Sequence, residues 1–359
     1  MANNRPRLSN LAWQRLRNGA VLCPHPLALT EDYRLDDRHQ RALSRYYLDA
    51  GAGGLAVGVY QTQLAIRHPD HDLFHNVLEI AAEEMHQHEQ KHPGKPIIKI
   101  AGIFGPTEQA IHEAQLAFDL GYDLGLLMDG HEMDASLSQL VERAEAIAEI
   151  LPLIGYQPPL HRKPPIYPYA FWRRFCEITN VAAIVAAGPP HSTLNIVRAV
   201  VDSEREKTLA LYTGNSQTAL IDLITPYRFH RQQQLIEVRI VGSMLDDWCY
   251  WTHKAVEQHT ATQRLNENRE APMQDYLLLN AQLDDCHAAI HDAENGYQGE
   301  IAGVLEILRR QGLVSNTVCL SQSSGLSEGQ TVEIDRILST YPHLSDIDFT
   351  TKRINRWLL

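Results

Sequence analysis

Residues 151–188 read LPLIGYQPPLHRKPPIYPYAFWRRFCEITNVAAIVAAG, and this stretch indicates how the chain folds. An apolar strand begins at Leu151, a polar loop follows it, an amphipathic helix covers 170–180, and a second apolar strand begins at Val181. Strands that are apolar at nearly every position are typical of parallel sheets with both faces covered. The stretch is therefore predicted to be a strand–helix–strand unit of a parallel sheet.

The same unit recurs on both sides of this stretch. Predicted strands begin near residues 96, 123, 152, 181, 208 and 235, and two more cover 18–22 and 53–59. The later intervals are about 27 to 29 residues, roughly the length of one strand, one helix and their loops. The turn after the first strand reads Cys23-Pro24-His25-Pro26, without the glycines of a phosphate-binding turn in an open sheet. Eight such units predict an α/β fold, a closed (β/α)8 TIM barrel.

The hydrophobic pattern divides the chain into three parts. Residues 1–17 are predicted to be an N-terminal helical segment. Residues 18–265 are predicted to form the barrel, with Leu235–Gly242 as its eighth strand. Beyond it only helical periodicity is found, so 266–359 are predicted to be a C-terminal helical extension.

The end of the first strand in the quoted stretch carries a motif that resembles one protein family. Tyr156-Gln157-Pro158-Pro159 is similar to the Tyr-Asn-x-Pro motif of the dihydrodipicolinate synthase and N-acetylneuraminate lyase family. These are (β/α)8 class I aldolases that act on pyruvate or related 2-keto acids. The resemblance implies that Tyr156 is a catalytic tyrosine that relays protons, although a tyrosine there can also simply plug the barrel mouth.

The family's next strand carries the lysine that forms a Schiff base with the substrate, in a Gly-Ile-Lys pattern. Here the corresponding residues are Ala183-Ile184-Val185, so Val185 occupies the lysine position and the chain resembles a divergent member. The resemblance also implies substrate-binding residues. Gln61 and Thr62 stand where the family has Gly-Thr-Thr-Gly-Glu, and His161 or Arg162 stands where it has a carboxylate-binding arginine. Asp129–His131 replaces a Pro-Tyr-Tyr segment.

A class I aldolase needs an amine whose pKa is lowered by burial, so every lysine is a candidate replacement. The chain has seven lysines. Only Lys99, within the third strand, and Lys163, in the loop after the fifth strand, are considered as alternative nucleophiles. Both have simpler interpretations, because Lys99 can point outward between helices and Lys163 can be a solvated loop charge.

Composition excludes several classes of partner. The net charge of −12 and the absence of a basic block argue against nucleic acid and anionic membranes as partners. The first residues contain no apolar signal core, and the five cysteines have no CxxC spacing, so a cytoplasmic protein with reduced thiols is expected. Histidines that could converge on the barrel mouth lack tight ligand spacing, so neither a metal nor a cofactor is predicted.

These observations leave three functions open. The chain is interpreted first as a lyase, an aldolase or hydratase, that acts on a small 2-keto acid or carboxylate by a non-standard mechanism. The alternative is a catalytically inactive pseudoenzyme that keeps the pocket as a small-molecule binding module. A third possibility is a structural partner subunit with a closed pocket. A homodimer or homotetramer is expected, as in the resembled family.

Overall fold

The computed structural model describes residues 6–128, 135–162, 166–268, 273–321 and 324–359. Eight parallel strands form a closed barrel, because the first strand pairs with both the second and the last. The predicted (β/α)8 barrel is thus confirmed. The strands, in chain order, are β1 (Val21–Pro24), β2 (Gly54–Val57), β3 (Ile98–Ile103), β4 (Leu124–Leu127), β5 (Leu153–Gln157), β6 (Val181–Ala186), β7 (Ala210–Thr213), the two hairpin strands β8 (Pro226–Arg231) and β9 (Gln234–Arg239), and β10 (Gly242–Met244).

Helices surround this barrel, and their ends follow local capping chemistry. The Asp36 carboxylate accepts the backbone N–H of His39 at the start of one helix, and Gly51 ends that helix at a φ of 96°. The Ser136 hydroxyl and Gln139 form a capping box at another. The helices are α1 (Asn10–Asn18), α2 (Asp37–Ala50), α3 (Phe74–Lys91), α4 (Thr107–Asp119), α5 (Leu137–Ala148), α6 (Tyr169–Phe175), α7 (Pro190–Asp202), α8 (Ala219–Ile224) and α9 (Thr252–Asn268).

Two apolar cores hold the barrel together, one inside it and one between strands and helices. Alternate residues of β3 show the division, since Ile98 and Ile100 belong to the inner core. Lys99 lies between them and points to the outside, where its Nζ contacts Glu89 of α3 at 2.6 Å. Every second side chain of a strand therefore faces the barrel interior, as the pleat requires.

The prediction for the eighth strand was wrong. Leu235–Gly242 was assigned to the barrel, but most of it forms the antiparallel β8–β9 hairpin outside, and β10 closes the barrel instead. The physical reason lies in the sequence itself, because Glu237 and Arg239 alternate with Ile236 and Val238. This alternation belongs to a strand with one solvated face, whereas an interior barrel strand is apolar throughout.

A helical extension follows the barrel, as predicted, and packs against it. Asp346 accepts hydrogen bonds from the Tyr46 hydroxyl at 2.7 Å and from the backbone N–H of His253 at 2.7 Å. The Trp357 indole donates to Asp49 at 2.6 Å. The boundaries at residues 17 and 265 remain predictions, and α9 runs through the second of them. The extension helices are α10 (Met273–Ile290), α11 (Glu300–Arg310), α12 (Gln330–Thr340), α13 (Ile347–Thr351) and α14 (Ile354–Trp357).

None of the helices in the described ranges is both long enough and apolar enough to cross a membrane.

Candidate functional site at the barrel mouth

A cavity of about 280 Å³ opens where the barrel strands end, and it is called the mouth cavity below. Its walls come from the loops after β2, β5, β6, β7 and β10 and from the extension. The carboxyl ends of the strands are the face on which (β/α)8 enzymes place their catalytic groups. The polar side chains used in the following argument are those of Tyr60, Tyr156, His161, Asp246, His287 and Tyr297.

Tyr156 lies at the end of β5 and lines the mouth cavity, where the sequence placed it. Burial raises the pKa of its phenol well above the ordinary value, although the nearby Arg162 guanidinium acts in the opposite direction. Its ring lies 6.4 Å from that of Tyr60. A neutral phenol at this position can donate a hydrogen bond to an oxygen of a bound molecule.

Val185 lies on β6, in register with Tyr156 on β5 and with Tyr212 on β7. It is fully buried and belongs to the apolar core inside the barrel. No lysine lies among the residues that line the mouth cavity in the described part of the chain. Lys99 points away from the interior, and Lys163 lies outside the described residues, as do Asp129 and His131.

The loop after β2 does not place Gln61 and Thr62 in the mouth cavity, where substrate-binding residues were expected. Thr62 and Gln61 are both fully buried, and neither lines the mouth cavity, which Tyr60 lines instead. The Thr62 hydroxyl donates to the backbone carbonyl of His25 at 2.6 Å and accepts the N–H of Gly58 at 3.0 Å. The geometry therefore corrects the prediction for Thr62, because its hydroxyl holds the loop together and is not free to bind substrate. The Gln61 amide is buried without a hydrogen-bond partner.

Arg162 was predicted as a residue that could bind a substrate carboxylate, but its guanidinium forms ion pairs with two carboxylates of the protein itself. One guanidinium nitrogen contacts Asp246 at 2.5 Å and Glu300 of α11 at 2.5 Å. The guanidinium also lies over the ring of Tyr60, 3.9 Å from its centroid. Burial alone would raise the pKa of Glu300, but Arg162 holds it well below the ordinary value. Arg162 thus ties Glu300 of the extension to Asp246 of the barrel. Burial raises the pKa of Asp246, although Arg162 acts in the opposite direction.

His161 lines the cavity beside Arg162. Its ring stacks on that of Tyr297, with centroids 4.0 Å apart. Its Nε2 lies 3.8 Å from Glu300, beyond hydrogen-bond length, and has no other partner. The His161 ring thus lines the cavity, while its Nε2 is buried and faces Glu300.

A second group of polar side chains lies next to these and was not predicted as a site. Asp247 follows β10, His287 lies in the last turn of α10, and His291 directly follows that helix, with its backbone N–H bonded to the His287 carbonyl. His287 Nδ1 is 3.0 Å from Asp247 Oδ1, and His291 Nε2 is 3.7 Å from the same oxygen. Burial alone would raise the pKa of Asp247, but the two histidines and the Ser216 hydroxyl hold it below the ordinary range.

One signal in the sequence pointed to this group. His287-Ala288-Ala289-Ile290-His291 places two imidazoles four residues apart, which is the spacing of metal ligands on one helix face. In the sequence Asp247 is simply a polar residue that follows the apolar segment 240–245. What joins it to α10 is tertiary packing across 40 residues, which hydrophobic periodicity does not report.

No protein-family model matches the chain, and no curated protein matches it either. Solved structures do. A dihydrodipicolinate synthase from Oceanobacillus iheyensis superposes with a TM-score of 0.72 at 14% identity, covering 93% of this chain and 100% of that one. An N-acetylneuraminate lyase from Fusobacterium nucleatum gives 0.69 at 15% identity, with 90% and 98% covered.

A third structure, the chloride-inhibited dihydrodipicolinate synthase from Acinetobacter baumannii complexed with pyruvate, gives a TM-score of 0.69 at 17% identity, covering 89% of this chain and 98% of that one. These superpositions establish the fold. At such low sequence identity they do not establish the activity, which has to be argued from the residues at the mouth cavity. The chain has the fold of the dihydrodipicolinate synthases and N-acetylneuraminate lyases, a closed (β/α)8 barrel with a C-terminal helical extension.

Proposed function

We propose that this protein is a lyase or hydratase that acts on a small 2-keto acid in the mouth cavity without forming a Schiff base. The observation that carries the proposal is the pairing of Val185 with Tyr156. An apolar side chain occupies the amine position, while the phenol beside it still lines the cavity. The substrate class is taken from the solved structures of similar fold, one of which contains pyruvate.

The chemistry that these groups support is proton transfer next to a carbonyl. Tyr156 can donate a hydrogen bond to the carbonyl oxygen of the substrate, whose charge grows as the adjacent carbon loses a proton. His161 and His287 line the same cavity, and an imidazole there can accept that proton. The enolate formed in this way can then lose a leaving group or take back a proton at carbon.

Exchange of the C3 protons of pyruvate and 2-oxobutyrate in D2O, followed by NMR, tests this proposal. The protein is expected to accelerate exchange, and Tyr156→Phe should slow it by about 100-fold or more. Tyr33→Phe is the matched control, because Tyr33 is an exposed tyrosine that does not line the cavity. Absence of exchange and of turnover with every 2-keto acid offered would contradict an enzymatic function.

A second candidate is a pseudoenzyme that only binds small molecules. Two observations favour it, since the Thr62 hydroxyl and the Arg162 guanidinium, both expected to bind substrate, are engaged within the protein. Calorimetric binding of a 2-keto acid without proton exchange would support this candidate over the first.

A further inference from the structure

We propose that Asp247, His287 and His291 bind a divalent transition-metal ion of the zinc class at the edge of the mouth cavity. Two imidazoles and one carboxylate are the ligand set of many catalytic zinc sites and of non-haem iron sites. The three donor atoms lie within 4.8 Å of one another, and all three residues are buried. The site joins a barrel loop to helix α10 of the extension.

The distances fit such an ion. With metal–ligand bonds of about 2.0–2.1 Å, neighbouring donor atoms around a tetrahedral or octahedral ion are about 3.0–3.4 Å apart. Asp247 Oδ1 lies 3.0 Å from His287 Nδ1 and 3.7 Å from His291 Nε2. The donor atoms of the two imidazoles also lie within 4.8 Å of each other, so the three side chains must approach one another further to coordinate one ion.

His291 is the observation that points most directly to a ligand. It is 0% exposed, and neither ring nitrogen has a hydrogen-bond partner. Its two nearest charged neighbours, Asp247 and Glu300, lie at 3.7 and 3.8 Å, beyond hydrogen-bond length. A buried imidazole that makes only such long contacts within the described residues lacks full hydrogen bonding, and coordination of Nε2 to a metal would supply a close partner.

Neighbouring side chains lie where they can hydrogen-bond to the proposed ligands, as is usual around protein-bound metal ions. Asp247 accepts hydrogen bonds from the Tyr250 hydroxyl at 2.7 Å and from the Ser216 hydroxyl. When Nε2 of His291 binds the ion, its Nδ1–H faces Glu300. A carboxylate behind a ligating histidine fixes the tautomer and strengthens the ligand.

The charge balance also favours a cation. Asp247 is buried, Asp246 and Glu300 are partly buried beside it, and the Arg162 guanidinium contacts Asp246 and Glu300. Burial lowers the pKa of His291, but Glu300 and Asp247 raise it above the ordinary value, so a proton on His291 can offset one negative charge. Without that proton, and with all four groups ionised, the three carboxylates and Arg162 carry two negative charges in excess among the described residues. One divalent cation neutralises that excess, whereas isolated buried charge is strongly unfavourable.

The ion would also provide what Val185 cannot. A metal ion next to the cavity polarises a carbonyl and stabilises an enolate, which is the task of the Schiff base in class I aldolases. This role rests on the proposed function, but binding of the ion does not. His161 would remain as the cavity imidazole that does not bind the ion, since His287 would be a ligand.

The experiment measures metal binding directly. The full chain is stripped with EDTA, passed through a chelating resin and titrated with Zn²⁺ by calorimetry, and ions per chain are counted by mass spectrometry after gel filtration. We expect one tightly held Zn²⁺ per chain and a higher melting temperature with Zn²⁺ than without it, because the ion binds the folded state. Co²⁺ should give visible absorption of a nitrogen–oxygen site.

Variants separate this site from surface histidines. His291→Gln and His287→Gln should each weaken Zn²⁺ binding by at least about 100-fold. His259→Gln is the matched control, because His259 is also buried without a side-chain partner but lies on α9, outside the group of three. It should bind Zn²⁺ like the unmodified chain. Melting temperatures of the metal-free variants show that each one folds.

Unchanged Zn²⁺ affinity in both ligand variants, or no binding at micromolar Zn²⁺, would overturn the proposal. The proton-exchange assay distinguishes this result from failure of the proposed function. If the metal-stripped chain still exchanges C3 protons at the full rate, the ion has no part in the chemistry, although the function stands. If Zn²⁺ binds but no exchange occurs, the site stands and the function fails.

Discussion

Val185 and Tyr156 stand next to each other on β6 and β5, and the resemblance to the aldolase family predicts that these are the positions of its Schiff-base lysine and catalytic tyrosine. Val185→Lys places an amine there but should not restore a working aldolase. Its charge would enter the apolar core inside the barrel, which we expect to destabilise the fold by about 2–4 kcal/mol. The groups expected to bind the substrate carboxylate are also engaged elsewhere.

Thermal unfolding and aldol cleavage of N-acetylneuraminate and related 2-keto acids test this prediction. Val185→Met is the control, since it adds a chain of similar length without a charge. The lysine variant should melt below the methionine variant and turn over poorly. Robust cleavage by Val185→Lys would instead mean that only this residue separates the chain from an active aldolase.

His25 is a buried histidine whose ring bonds to the Ser44 hydroxyl at 2.8 Å and to the Gln40 amide at 2.9 Å. Burial lowers the pKa of His25 from 6.5 to about 4. The unfolded chain therefore takes up more protons than the folded one between these values, and stability falls as the pH drops from 6.5 to about 4.

His25→Gln should remove this part of the acid sensitivity. The melting temperature of the variant relative to the unmodified chain should rise as the pH is lowered from 7 to 4.5. Comparing the two proteins at each pH cancels the other titrating groups, such as Asp222, whose pKa burial raises to about 6 and which acts in the opposite direction. A pH-independent difference would show that the pKa of His25 is the same in the folded and the unfolded chain, contrary to this prediction.

Single site residues could be predicted from the sequence only where they belong to a local motif. Tyr156 and Val185 were located because both lie at strand ends within one strand–helix–strand unit. Arg162 was found as a charge near the cavity, but its two carboxylate partners lie 84 and 138 residues away. An ion-pair partner that tertiary packing brings from a distant part of the chain produces no local sequence pattern, so it could not be predicted.

At the scale of secondary-structure elements, the repeated spacing of strands was sufficient to predict the barrel. The prediction was wrong only for the eighth barrel strand. The β8–β9 hairpin inserts between α8 and β10 and carries apolar residues at the position where the eighth strand was expected. Leu235 in it is 55% exposed, which an interior barrel residue would not be. β10 itself is only Gly242–Met244, too short to give a hydrophobic pattern.

Arg162 joins three segments, because it lies in the loop after β5 and pairs with Glu300 of α11 and with Asp246 in the turn after β10. Arg162→Met would leave both carboxylates buried without their cation, and loss of one partner of a buried pair costs about 3–5 kcal/mol. Denaturant unfolding should show this loss. Hydrogen-exchange mass spectrometry should show faster exchange in α11.

Arg336→Met is the matched control for that change, because Arg336 pairs with Asp285 between two exposed helices. An exposed pair contributes about 0–1 kcal/mol, so this variant should unfold close to the unmodified chain. Equal effects of the two variants would mean that Arg162 does not hold the extension in place.

For the whole molecule, we expect a homodimer or homotetramer, which remains a prediction. Helix α10 exposes Met273, Leu277 and Leu278, each at least 49% accessible, and an apolar helix face of this kind can be buried against a second copy. Analytical ultracentrifugation at micromolar concentration should show a species of at least twice 40.6 kDa. A single 40.6 kDa species would contradict the expectation.

Borohydride trapping tests the central claim, that this barrel keeps the mouth cavity but works without a Schiff base. The chain is incubated with pyruvate and sodium borohydride, and its intact mass and tryptic peptides are measured by mass spectrometry. The account predicts an unmodified chain, because the amine position is Val185 and Lys99 is paired with Glu89 outside the barrel. A stable pyruvyl adduct on any lysine, Lys163 included, would contradict it and identify the nucleophile.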